Sequence, residues 1–555
     1  MRFVVSVRRL ATILAVSILS ACGTGSTQPL TTVSTNSISF VAVSPDAAAP
    51  NSQTVTAAVS AGAVSLAVLH SGSAIGNVTQ SSSGNTTQIV VDPASPGTLG
   101  AGNFTGIITV TGYSCSNAAC SPPVSGNSQV VNVSYLVPPI VREVAPYVGF
   151  SASGNVIIRG QGFDQFPVQN VLFNGSPIYT TSFSVVSDTE IEASYSGLVP
   201  GTYAVNIQVP ANAGTVTSEA NLVIMNPQAY SATTVPYPAG LTVSTVNRIL
   251  YDPVRQDLVV AVGTSPTGPG EILDYPYSVG VWATTPNSVA VIPSLSDIAL
   301  STQGKELLAL SQQGLTQLTP ATLGQVAGTT TSAPSLPAGS YFKNLAVVND
   351  GTAILTTGYA GSQATPLYEY AIHNTSAHSL GFFQLSNSPS LDNSTPAASL
   401  DGSVVALVQG DSSLLTAPNT YYYTASSASF GSSSATVNQN AIPPSIDGTA
   451  AHVVLNGTYV YDANYNLLGT LQPPGTDTPV AVAISPDGST AYMYDSAGVI
   501  SSFNLLAGAV NGVFVANAQQ VTPPNPGSSV SMAISPDGKT LFLAGTTQIV
   551  VQPVP

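Results

Sequence analysis

Few residues in this chain are suited to chemistry. There are three cysteines (Cys22, Cys115 and Cys120), four histidines (His70, His373, His378 and His452) and, in 555 residues, ten Lys and Arg against 25 Asp and Glu. Nucleophilic hydrolysis needs a Ser or Cys beside a base, and no Gly-x-Ser-x-Gly elbow occurs. No His-Glu-x-x-His motif is present, and His373 and His378 sit in a Ser/Asn loop that reads as exposed. Aspartates recur in Asp-Gly pairs, but calcium takes six to eight oxygens from one dense loop. Single carboxylates spaced a repeat apart read as turn formers. Gly160-Gln-Gly162 lacks the third glycine of a phosphate cradle. No metal or cofactor is expected. Tyr421-Tyr-Tyr423, Tyr459 with Tyr461, and Tyr492 with Tyr494 lie in strand-like runs, beside a sole tryptophan, Trp282. Their amphipathic rings suit either a sugar- or peptide-binding face or packing between strands.

Residues 1–21 set the compartment. Arg2, Arg8 and Arg9 precede the apolar run Leu10–Leu19, then Ser20, Ala21 and Cys22, the pattern of a secretory signal. Leu19-Ser20-Ala21-Cys22 resembles the bacterial lipobox. That resemblance implies cleavage before Cys22, diacylglycerol on its thiol and acylation of the new N-terminus; the alternative is an ordinary signal peptide with a coincidental cysteine. Several acyl chains anchor far more firmly than one, at about 0.8 kcal/mol per buried CH₂. Gly23 after the cysteine resembles an outer-membrane address in a Gram-negative cell, and residues 22–35 read as a flexible tether. Cys115 and Cys120 are five residues apart, which in an oxidising compartment suits a disulfide across a hairpin loop, with two unpaired thiols as the alternative.

The remaining residues must build the elements. Only 6% are charged, with 48 Gly and 42 Pro, which starves long helices of their usual surface residues. An all-β chain of two small domains and one large one follows. Net charge is −15, and beyond the leader just seven cations remain, scattered singly, which excludes nucleic acid as a partner.

Residues 36–137 alternate in short runs (Ser37–Val43, Gln53–Val59, Gln88–Val91, Gly106–Thr111, Gln129–Tyr135) and predict a β-sandwich. The stretch Gly102-Asn-Phe-Thr-Gly-Ile-Ile-Thr-Val-Thr-Gly112 resembles a late strand of BACON-like, immunoglobulin-like domains. Residues 138–226 carry Pro138-Pro-Ile140, Gly154-Asn-Val156-Ile-Ile158-Arg-Gly160-Gln-Gly162-Phe163, Val171-Leu-Phe173-Asn-Gly175 and Gly201-Thr-Tyr203. This segment resembles the IPT/TIG domain, which implies a second immunoglobulin-like sandwich. Asn174-Gly175 marks a hairpin turn.

Residues 227–555 repeat. Gln303-Gly304, Asp350-Gly351, Asp401-Gly402, Asp447-Gly448, Asp487-Gly488 and Asp537-Gly538 punctuate apolar runs at steps of 47, 51, 46, 40 and 50, and a degenerate unit at Tyr251–Asp257 precedes them. Seven units of several strands each predict a seven-bladed β-propeller. The two full Ser-Pro-Asp-Gly copies resemble YVTN/NHL-type propellers. The last unit runs out of chain one strand short, so Ala229–Tyr237 is expected to supply its outer strand and close the ring.

Two functions follow from different classes. One is a cell-envelope lipoprotein, anchored to membrane lipid, that presents a protein, peptide or glycan ligand to the propeller. The other resembles the lactonases and quinone-dependent dehydrogenases among propellers and would gather His373, His378, His452, Arg248 and Arg255 with carboxylates at one channel mouth. A mouth of Ser, Thr, Asn and Tyr favours binding.

Overall fold

The computed structural model describes residues 30–554 apart from 61–62, 115–123, 265–267, 360–365, 374–379, 386–388, 390, 392, 410–419 and 434–441. The leader, Cys22, the Cys115–Cys120 pair and His378 lie outside the described residues. Strands dominate what is described, and its one α-helix is the single turn Pro96–Leu99.

The first sandwich has two four-stranded sheets. One orders Thr31–Val33, Gln53–Val59, Thr86–Pro93 and Ile75–Ser83; the other orders Ser37–Val41, Val124–Val137, Gly102–Ser114 and Ala63–Ser71. Inward positions alternate as a half-buried sheet requires, with Val55, Ala57, Ile89 and Val91 all buried. One expectation needs correcting. Thr31–Val33 falls inside the expected tether, yet it pairs antiparallel with Ala57–Val59. Thr31 is fully buried: its N–H donates to Asn127 Oδ1 at 2.6 Å, and its hydroxyl accepts from the Gly112 N–H at 3.0 Å. A short polar run is thereby fixed as a strand. Segments 40–50 and 94–104 belong to a second compact unit with everything from 135 onward.

Within that unit, the second sandwich packs a five-stranded sheet (order Thr180–Ser187, Glu190–Tyr195, Gly154–Gln161, Ile140–Ala145, Thr217–Ser218) on a four-stranded one. Val144, Ile158, Phe163, Phe173, Ile191 and Val205 form its centre. Gly160 is required by close approach, since a Cβ there would lie 2.0 Å from the Ile140 carbonyl oxygen. Asn174 and Gly175 both take positive φ (51° and 75°) in the expected hairpin turn.

The rest forms seven consecutive sheets, each a blade. Blade 6 runs Pro479–Ile484, Thr490–Asp495, Ile500–Asn504 and Gln520–Val521 from inside to outside. Its inner turn shows why Ser-Pro-Asp-Gly recurs. The Gly488 N–H donates to the Ser485 carbonyl (2.8 Å), the Ser485 hydroxyl donates to Asp487 Oδ1 (2.6 Å), and Gly488 takes φ 71°. These turns also join blade to blade: Asn349 N–H donates to the Gly402 carbonyl, Asp401 N–H to that of Gly448, and Gly448 N–H to that of Pro486. Blade 5 gains a fifth strand, Val513–Val515, which pairs parallel to Leu467–Gln472.

The ring closes as the missing strand required. Thr233–Pro236 pairs antiparallel with Gln548–Val551 and becomes the outer strand of blade 7. Tyr230, Tyr251, Tyr277, Trp282 and Phe542 pack where blade 7 meets blade 1, with Tyr251 and Phe542 stacked at 4.9 Å. The sole tryptophan therefore sits at the seam.

Candidate binding cleft

Of the residues proposed for an enzymatic channel mouth, Arg248, Arg255 and His452 each have a partner in or beside their own blade. Arg248 grips the fully buried Asp297 through two contacts of 2.6 Å, and the Leu345 N–H donates to the same carboxylate. Arg255 pairs with Asp252 inside its own turn and donates to the Gly304 carbonyl. The His452 Nδ1 lies 3.4 Å from Asp447 Oδ2 in blade 5, and His373 and His70 are exposed elsewhere. Among the described residues, no group of three or more His, Cys, Asp or Glu side chains is arranged to hold a metal ion. Most of the tyrosines take the packing role, and Tyr492 both packs and lines the cleft described below. Tyr423, Tyr461, Tyr492 and Tyr494 are buried between blades, and Tyr422 stacks on Tyr465 at 5.1 Å.

What sequence reasoning missed is how the second sandwich meets the turn-bearing face of the propeller. The loop Pro146–Val148 walls one end of the central channel, where a cavity of about 260 Å³ lies against Leu250, Ala299, Leu345 and Val347. Gln303 Nε2 donates to the Val144 carbonyl at 2.6 Å, and its Oε1 accepts from the Asn221 N–H. Lys305 Nζ donates to the Glu219 carbonyl at 2.7 Å. The Thr302 hydroxyl donates to Glu143. Arg159 makes a buried ion pair with Glu190 (2.7 Å) and donates to Asn349 Oδ1 (3.0 Å). Two departures in the repeat mark this face: Gln303 where other turns carry Asp, and Asn349 where two carry Pro.

Burial sets the electrostatics here. It pushes the Glu143 carboxyl up to about 8, against the Thr302 hydrogen bond and with help from Asp350 and Glu306. Burial likewise raises Asp350, despite bonds from Thr352.

Beside this contact, between the sandwich and the turns of blades 4 to 7, lies a cleft of about 1250 Å³. One wall is the face of the five-stranded sheet on which Asn155 pairs with Ser194 and Ser184 with Glu192. The other wall is made of turns: Asp401, Thr449, Asp487 and Asp537, with Lys539. Leu400, Pro146 and Val148 line both this cleft and the channel cavity. Burial pushes the Asp487 carboxyl up, but bonds from Ser485 and Ser489 outweigh it and hold the group below its ordinary range. The cleft is therefore large, mixed in character, with hydroxyls and carboxylates beside apolar residues such as Val148, Phe150 and Leu400, and one of its walls is built on turns.

Residues 139–224 match the IPT/TIG domain. The second sandwich is this domain, and its outward sheet face is the first wall of the cleft. The chain is also similar to the β-propeller domain of Cps50 (Swd1) from Myceliophteria thermophila. That likeness has 10% identity and a TM-score of 0.40, and it covers 58% of this chain and 99% of that one. No curated protein matches the chain significantly. The blade count rests on the sheet topology itself.

Proposed function

We propose that the protein is a cell-envelope lipoprotein that acts as a binding or scaffold module. Lipid on Cys22 would hold it at the membrane, the outer one in a Gram-negative cell, and the cleft between the IPT/TIG domain and the propeller would take the ligand. The cleft carries this reading: about 1250 Å³ lined by serines, Asn155, Thr449 and carboxylates beside apolar residues such as Val148, Phe150 and Leu400 suits recognition of a protein, peptide or glycan. The enzyme reading draws no support from Arg248 and Arg255, each neutralised by its own aspartate.

Ser184 is exposed on the cleft-facing sheet, so Ser184→Trp narrows the cleft without entering a core. Envelope extract and a glycan array are probed with wild type and this variant. Ligands captured by wild type and lost by the variant support the reading, and identical capture by both removes it. For the anchor, Cys22→Ser should yield soluble or unprocessed protein. Unchanged processing and membrane fractionation would end the lipoprotein assignment.

A further inference from the structure

The geometry points to a cationic, extended peptide segment as the occupant of the cleft; this rests on the cleft being the recognition site. Asp401 and Asp487 each use one oxygen to build their turns. Asp401 Oδ1 accepts from the Ser399 hydroxyl (2.6 Å), the Ser403 N–H (3.0 Å) and the Ser403 hydroxyl (2.7 Å). Asp487 Oδ1 does the same for Ser485 and Ser489. The second oxygens differ. Asp537 Oδ2 accepts from the Gln228 N–H at 2.6 Å, whereas no donor among the described residues reaches Oδ2 of Asp401 or Asp487.

Asp401 lines the cleft, and its second oxygen is left free of the turn that its first one builds. Glu192 adds a further negative charge, against Lys539 alone, in a chain of net charge −15. A charged donor is favoured over a neutral one because charge-assisted hydrogen bonds are roughly twice as strong. A bare cation does not fit, since no cluster of three ligating side chains exists among the described residues.

Size and relief point to a peptide. About 1250 Å³ exceeds the roughly 300–1,000 Å³ typical of small-molecule pockets. Leu400, 43% exposed, and Pro486 offer apolar seats beside the two aspartates. Thr180–Ser187, the edge strand of its sheet, lines the cleft and leaves main-chain groups for an extended segment to pair with.

The test uses the full processed chain in detergent. Its probes are a fluorescent hexapeptide alternating lysine and leucine, the glutamate–leucine counterpart, and chitohexaose. The lysine peptide should bind, weaken with salt, and lose about tenfold in affinity to Asp401→Asn with Asp487→Asn. Asn retains the Oδ1 acceptor that forms each turn, and Asp487→Asn alone, on an exposed turn, serves if the pair misfolds. Ser184→Trp, which narrows the cleft, should weaken binding. Equal binding of the lysine and glutamate peptides, or indifference to the Asn variants, overturns the inference. Chitohexaose binding sensitive to Ser184→Trp would overturn the cationic occupant while keeping the cleft as a site. No binding of any probe sensitive to Ser184→Trp removes both.

Discussion

Arg159 and Asn349 lie 190 positions apart, yet the guanidinium Nε of one donates to the amide oxygen of the other at 3.0 Å in a buried contact. Asn349 passes the connection on, its Nδ2 donating to the Asp401 carbonyl at 2.7 Å. A single line of bonds therefore runs from the IPT/TIG sheet through blade 3 to the turn that lines the cleft. Arg159 also neutralises Glu190, and both side chains are more than nine-tenths buried.

Arg159→Ala should be severely destabilising, because it leaves Glu190 buried without a partner. Breaking such a pair costs about 3–5 kcal/mol. Urea unfolding should show the drop in midpoint, and Arg159→Lys should recover only part of it, since lysine has no planar fork to reach Glu190 and Asn349 together. A midpoint unchanged by Arg159→Ala would refute this role.

The raised carboxylates fix a pH dependence. Burial raises Glu143 to about 8, Asp257 to about 7 with the charges of Asp274 and Asp252, and Asp274 to about 6. A carboxyl raised in the folded state binds its proton more tightly there than in the unfolded chain. Its contribution is complete below the unfolded value near 4 and is lost as pH rises through the folded one. Tm should therefore fall between pH 5 and 8, and Glu143→Gln should flatten that limb. A Tm that climbs over the same range contradicts these assignments.

Ring closure can be read optically. Val235, 1% exposed in the closing strand, pairs with Ile549, and Trp282 lies at the adjoining seam. Val235→Asp buries an unpaired charge and should cost about 3 kcal/mol or more. Because Trp282 is the one tryptophan, its emission should shift red at a lower denaturant concentration in the variant than in wild type. Superimposable fluorescence transitions would mean that the seam does not depend on this strand.

Legibility in the sequence followed from how local the signal was. The Asp-Gly turns are self-contained, each aspartate bonding its own neighbours, so seven blades could be counted from spacing, and the strand deficit in the last unit located Thr233–Pro236. Ile75–Ser83 escaped notice because its nine residues carry only two apolar side chains and no alternation. The cleft was invisible because Asn155, Ser184, Asp401 and Asp487 are ordinary residues brought together only by the seating of the IPT/TIG domain on the propeller. Gln303 and Asn349 were the available hints, positions where the repeat gives up its turn residue to bond across that contact.

Two glycines separate backbone strain from that contact. Gly175 (φ 75°) and Gly304 (φ 62°) share the left-handed conformation, but a Cβ on Gly175 would meet nothing within 4 Å, whereas one on Gly304 would lie 2.6 Å from the Tyr147 hydroxyl oxygen. Gly175→Ala should thus cost only the conformational penalty, about 1–2 kcal/mol. Gly304→Ala pays the same penalty and must also displace Tyr147 from the loop that walls the channel cavity. Urea midpoints of the two variants should differ clearly, and Gly304→Ala alone should speed proteolysis between the IPT/TIG domain and blade 1. Equal midpoints would show that Tyr147 is not held against the Gln303-Gly304 turn in solution.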